Sequence, residues 1–254
     1  MHQHTYSCII SSRGNTSLKL KKNGSKSMSL SNQSSTVSPA KHFLRVKSGN
    51  VNYYDKESQD NINVPLPLSF VVLDQLATVK GWSDNDQSGY WSNEVKSAGQ
   101  DVLTVRTSKG EKASGIWKDI KSNPAVSGAK FNASVYVAAP GREGLEIQNI
   151  SFSGASLNAW IEFVNANKGV TRGKSKVSIT GFSDEKKGAV KYQVPVFEAV
   201  EITDEELAQA TELDKELQTY LEGYFANRRN EELVATATGK PSEDELVDLS
   251  QIPF

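Results

Sequence analysis

The chain has one cysteine, Cys8, in 254 residues. A lone thiol closes no disulfide within one chain and cannot build a cysteine-rich zinc site. It suits a reducing cytoplasm, the compartment expected for this protein. Histidine is nearly as scarce, and His2, His4 and His42 all lie near the start. Everything after residue 42 lacks both thiol and imidazole. This argues against a Ser-His triad, a cysteine nucleophile or a His-ligated metal. No apolar run approaches the roughly 18 residues of a transmembrane helix, and Cys8-Ile9-Ile10 is too short for a signal-peptide core. A binding protein with no metal and no cofactor is therefore expected. One catalytic alternative survives, a carboxylate-metal nuclease drawing on acids such as Asp74, Asp84, Asp86, Glu94 and Asp101.

Acid is missing from the first 50 residues, which hold 12 serines and the cations Arg13, Lys19, Lys21, Lys22, Lys26, Lys41, Arg45 and Lys47. No hydrophobic period is sustained there, so residues 1–63 read as a basic, Ser-rich disordered arm. Three origins stay open: an organellar transit peptide, an arm that grips phosphates, or a stretch of 27 residues ahead of a true start at Met28. The other end has the opposite sign. Residues 201–254 carry 14 acids and 4 bases, net -10, whereas the first 200 carry 16 acids and 25 bases, net +9. A basic front with an acidic tail suits a polyanion binder whose tail competes with the ligand or recruits basic partners.

Residues 64–200 read mostly as strands. β-rich or alternating segments fall at 66–82, 90–95, 102–107, 131–138, 145–152, 177–180 and 190–196. A weak helix is expected over 115–122. A better one runs from 155 to 167, where Leu157, Trp160, Ile161 and Val164 recur at three- and four-residue steps. Strands, a late helix and two more strands match the order of an OB barrel. The expected fold is thus mainly β: an OB-like barrel with an extra strand inserted around 145–152, one internal helix and a long C-terminal helix. A β-sandwich with helical decoration is the alternative. Thr203-Asp204-Glu205-Glu206 forms a capping box ahead of an amphipathic helix over about 204–228, within a segment taken as 201–230. A linker and acidic tail fill 231–254.

That tail ends Glu243-Asp244-Glu245-Leu246-Val247-Asp248-Leu249-Ser250-Gln251-Ile252-Pro253-Phe254. An apolar tip on an acidic leash has too little apolar surface to fold alone, but it can dock into an apolar pocket edged with basic groups. The ending resembles the tip of bacterial and phage single-stranded DNA-binding proteins, which close an acidic tail with Ile-Pro-Phe or a near variant. In that family the tip recruits replication and repair enzymes. The resemblance implies partner-binding roles for Asp248, Ile252, Pro253 and Phe254. A phage structural or assembly protein with a β-rich core is the non-enzymatic alternative.

Single-strand binding needs cations for phosphates and exposed rings for bases. The candidate rings are Trp82, Tyr90, Trp91, Trp117, Tyr136 and Tyr192. The candidate cations are Arg106, Lys109, Lys130, Arg172, Lys174, Lys176, Lys186 and Lys187. Lys80-Gly81-Trp82 and Gly89-Tyr90-Trp91 are the most suggestive group, since they set three aromatics around one polar loop. The basic stretch 170–176 lacks the spacing of a phosphate-binding loop and opens no helix. Partners expected are single-stranded DNA and replication or recombination proteins, with no membrane. Self-association is left open.

Overall fold

The computed structural model describes residues 37–237, the last eight of them as backbone only. The tip residues Asp248, Ile252, Pro253 and Phe254 lie outside the described residues, as do residues 1–36. Strands β1 (Phe43–Lys47), β2 (Asn50–Asp55) and β3 (Asp60–Asn63) come first, then the long β4 (Leu68–Ser83), β5 (Ser88–Ser92), β6 (Leu103–Thr107) and β7 (Gly110–Gly115). One helical turn, α1 (Trp117–Ile120), precedes β8 (Ala129–Pro140) and β9 (Leu145–Ser153). Helix α2 (Ala155–Ala166), strands β10 (Lys176–Lys187) and β11 (Val190–Val200), and helix α3 (Asp204–Ala237) follow.

The chain is mainly β, as expected. The strands pair in the order β3-β2-β1-β9-β8-β4-β5-β6-β7, with β10 joined to the start of β4 and β11 to β10. Every pairing is antiparallel except β1 with β9. Among the described residues the path is open, with β3 and β7 at its ends and β11 holding one partner.

The first correction concerns the arm. Residues 43–63, expected to be disordered, form β1 to β3. The physical reason is alternation in a short stretch. Leu44 and Val51 are buried in the main core while Phe43, Arg45 and Lys47, at alternating positions of β1, stay exposed. Charge dominates such a segment when it is read by composition, and its partner β9 lies about a hundred residues on in the chain. The helix expected over 115–122 shrinks to the single turn α1, with Pro124 just beyond it.

Side chains one apart along a strand face opposite sides of a sheet. On one side of the central strands, Leu44, Val135, Val137, Ile150 and Phe152 meet Leu157 and Trp160 of α2, Leu68 and Phe70 of β4, and Val177 and Ile179 of β10. Trp160 stacks on Phe152 at 5.0 Å between centroids and donates its indole N–H to Gln75 Oε1 at 2.8 Å. Truncating such a buried ring costs about 3–5 kcal/mol. A second core joins Val79, Tyr90, Val95, Leu103 and Val105 to Ile120 and Val126. On the other side of the sheet, Ala210, Leu213, Leu217 and Leu221 of α3 cover Val71, Leu76, Tyr136, Ala138 and Ile147. The capping box is present: Glu206 N donates to Thr203 Oγ1 at 3.2 Å, and Thr203 N donates to Glu206 Oε2 at 3.0 Å. The helix then runs nine residues beyond the expected end at 228. No helix among the described residues is long and apolar enough to cross a membrane.

Candidate nucleic-acid interface

The α3 side of the sheet is covered at one end of β4 and β8 and open at the other. The open end carries a row of side chains fixed by strand register. Arg106 on β6 pairs with Trp91 on β5, Trp91 with Lys80 on β4, and Lys80 with Lys130 on β8. Paired positions share a face, so these four project together across four neighbouring strands. Trp82, two residues on from Lys80, faces the same way. Trp82 is 53% exposed and Trp91 47% exposed, and neither belongs to an apolar core.

The electrostatics of the row are relieved only at its Arg106 end, by Glu111 of β7. Lys80 and Lys130 sit directly opposite each other, an arrangement that opposes folding. Among the described residues no ion pair engages either one. Lys80 is half-buried and its ammonium donates to Ser151 Oγ on β9 at 3.3 Å. Burial holds its pKa below the usual lysine value; the Glu94 carboxylate opposes this and the Arg45 charge adds to it. An anion laid along the row would relieve these like charges.

The ground under Trp91 is firmly held. Val79 N donates to Ser92 Oγ at 2.8 Å, and Ala77 bridges Val95. Glu94 N donates to the Tyr224 hydroxyl of α3 at 2.9 Å. The Glu94 carboxylate accepts from Ser134 and, at 2.8 Å, from Tyr136, and Asn149 donates to Ser134 Oγ at 2.8 Å. Among the described residues Asn149 Oδ1 is buried without a partner.

Of the residues singled out from sequence, Trp82, Trp91, Arg106 and Lys130 come together in this face. Arg106 also meets Glu111 at 3.3 Å. Tyr90 is corrected: it is only 5% exposed, lies on the opposite face from its neighbour Trp91, and donates its hydroxyl to the Ala125 carbonyl at 2.9 Å. Tyr136 is corrected too. It is on the right face but under α3, where burial and then the Glu94 charge push its phenol far up in pKa. Trp117 is partly buried against the second core.

Lys109 lies in the β6–β7 turn, 3.8 Å from Asp86, whose other carboxylate oxygen meets Lys112 at 2.9 Å. The Thr107 hydroxyl and then Lys112 hold the Asp86 carboxyl below its usual pKa. That cluster ties the β4–β5 loop to the β6–β7 turn. Lys176 is engaged by Glu206 of α3 at 2.5 Å, and exposed Arg172 and Lys174 precede it. Lys186 and Lys187 are exposed near the tip of the β10–β11 ribbon. There Tyr192 pairs with Glu185, whose hydrogen bond raises the phenol pKa. None of these joins the row.

Sequence reasoning placed Lys80 in the most suggestive group and Arg45 in the basic arm, but chose neither as a DNA contact. For Lys80 the signal was its position two residues before Trp82 in a strand. For Arg45 it was the alternation of 43–47. Neither a protein-family model, nor a curated protein, nor a solved structure matches this chain.

Proposed function

We propose that this chain is a single-stranded DNA-binding protein that lays the strand over the row Arg106–Trp91–Lys80–Lys130 and Trp82. The carrying observation is that row: cations and solvent-facing indoles in one register across four strands, with Lys80 and Lys130 opposite each other and in no ion pair among the described residues. Lysines and arginines neutralise phosphates, and the two indoles stack on bases. A duplex keeps its bases stacked internally, so exposed rings favour unpaired strands. The acidic Ile-Pro-Phe ending supports the same reading and adds a role, recruitment of replication or recombination proteins through the tip.

The strand order supports the finer fold assignment, an OB-like barrel. β4, β8, β9, α2, β10 and β11 follow the OB sequence of three strands, a helix and two strands, and the path β9-β8-β4-β10-β11 keeps the first strand between the second and the fourth. In this reading the insertion is β5 to β7, between the first two barrel strands, rather than the strand around 145–152. Oligonucleotide-binding OB folds use the face of strands two and three, here β8 and β9, which carry Lys130 and Ser151. The test is tryptophan fluorescence titration with oligo-dT and with duplex DNA. Salt-sensitive quenching by the single strand, with weaker duplex binding, is expected. Equal affinity for both would overturn the reading.

A further inference from the structure

Trp82 and Trp91 have a counterpart on the far side of the same face. Among the described residues four aromatic side chains are exposed: Trp82, Trp91, Phe43 at 49% and Tyr54 at 48%. Phe43 pairs with Asn149 of β9, and Asn149 with Tyr136 of β8. Arg45 likewise pairs with Ser151, the residue that receives the Lys80 ammonium. Phe43, Arg45 and Lys47 therefore project on the side of the sheet that bears the row. Arg45 pairs with Asn52 on β2, which sets Tyr54, two residues on, on that side as well. Leu44 and Val51, between these positions, point into the main core. Arg45 and Lys47 are exposed and form no ion pair among the described residues. The β1–β2 hairpin thus repeats, on the opposite flank, the composition of the Trp91 flank: two open rings and two unpaired cations.

We propose that the β1–β2 hairpin is a second half of the nucleic-acid site, with Phe43 and Tyr54 as stacking platforms and Arg45 and Lys47 as phosphate contacts. This rests on the single-strand reading above and goes further, because it sets the course and length of the bound strand. The strand crosses the β-strands, from β6 over β4, β8 and β9 to β2. Trp91 on β5 and Tyr54 on β2 are five strand spacings apart, about 24 Å at 4.8 Å each, and their rows meet β8 at Lys130 and Tyr136, six residues or about 20 Å apart along the strand, so the course is a diagonal of about 31 Å. That span holds about nine nucleotides at the duplex rise of 3.4 Å, and fewer in a drawn-out strand. An oligomer of four cannot reach both flanks, and one of twelve can.

The experiment titrates the full-length chain with (dT)4 and (dT)12 by fluorescence anisotropy. The variants are Tyr54→Ala with Phe43→Ala, Arg45→Gln with Lys47→Gln, and Trp91→Ala. The second pair changes only exposed polar side chains, so it keeps the test informative if the first pair disturbs the sheet edge. The wild type should bind (dT)12 at least about thirtyfold tighter than (dT)4. Each hairpin variant should lose about tenfold or more on (dT)12 and less than about twofold on (dT)4, whereas Trp91→Ala should lose on both. A wild type that gains nothing from the longer oligomer, or hairpin variants that bind (dT)12 like the wild type, would overturn the second half-site and leave the first standing. Failure of the wild type to bind either oligomer would remove both.

Discussion

Tyr90 and Trp91 are neighbours in β5 and face opposite ways, so the pair tests the interface with two single substitutions. Trp91→Ala removes a ring that is about half exposed. A tryptophan offers up to about 250 Å² for burial, so the half in contact with the sheet amounts to about 125 Å². At about 25 cal/mol/Å² the upper bound on lost stability is about 3 kcal/mol. No enclosed cavity forms, and the true loss should be nearer 1–2 kcal/mol, leaving the protein folded. Removing a base-stacking ring costs about 1–3 kcal/mol of binding, which is roughly 5- to 150-fold in affinity. Tyr90→Ala does the reverse. It empties a site in the second core for about 3–5 kcal/mol and strips the Ala125 carbonyl of its hydroxyl donor. Its effect on DNA should come only through the folded fraction. The assay is a thermal melt of each variant, followed by titration with (dT)12 well below the lower melting point. The reasoning fails if Trp91→Ala binds within twofold of the wild type, or if folded Tyr90→Ala loses as much affinity as Trp91→Ala.

Lys130→Gln should weaken single-strand binding and lower the slope of log K against log salt by about 0.7, the share of one phosphate contact on a single strand. Its melting temperature should hold or rise, because a like charge opposite Lys80 is removed; a fall in melting temperature would contradict the register argument. Glu206 has its pKa lowered, first by the Lys176 hydrogen bond and then by the Thr203 N–H. Its stabilising contribution should be present above the unfolded carboxylate value near 4.5 and disappear as pH falls through the lowered folded value. Glu206→Ala should therefore cost about 1 kcal/mol at neutral pH, mostly as a lost cap because solvent screens the ion pair. Chemical unfolding at pH 7 and pH 3 should show the gap closing in acid, and a gap that widens there would reverse the sign of the argument. Phe254→Ala keeps every side-chain charge of the tail, so it should leave oligo-dT affinity unchanged while abolishing capture of replication proteins; retention of the same partners would remove the tip from the proposed function.

Some features were legible in the sequence because their physics is local. The cap at Thr203–Glu206 needs one turn of chain, and the strands around Trp82, Trp91 and Phe152 follow from period-two patterning. The charge division between front and tail is a matter of counting. The lack of thiol and imidazole after residue 42 was equally plain. Exposure was not legible. Tyr90 and Trp91 are equally aromatic and adjacent, and only the packing of β5 against β6 and α1 assigns one to the core and the other to solvent. Tyr136 shares a face with Lys130, yet α3, from about seventy residues later, covers one end of that face and leaves the other open. The hairpin of β1 and β2 reads as a charged arm until β9 provides a parallel edge for it. Sequence determined the local segments and the polarity of charge, because those depend on neighbours along the chain. The tertiary structure decided which rings meet solvent and which cations share a row, because strand register and helix coverage join residues distant in sequence.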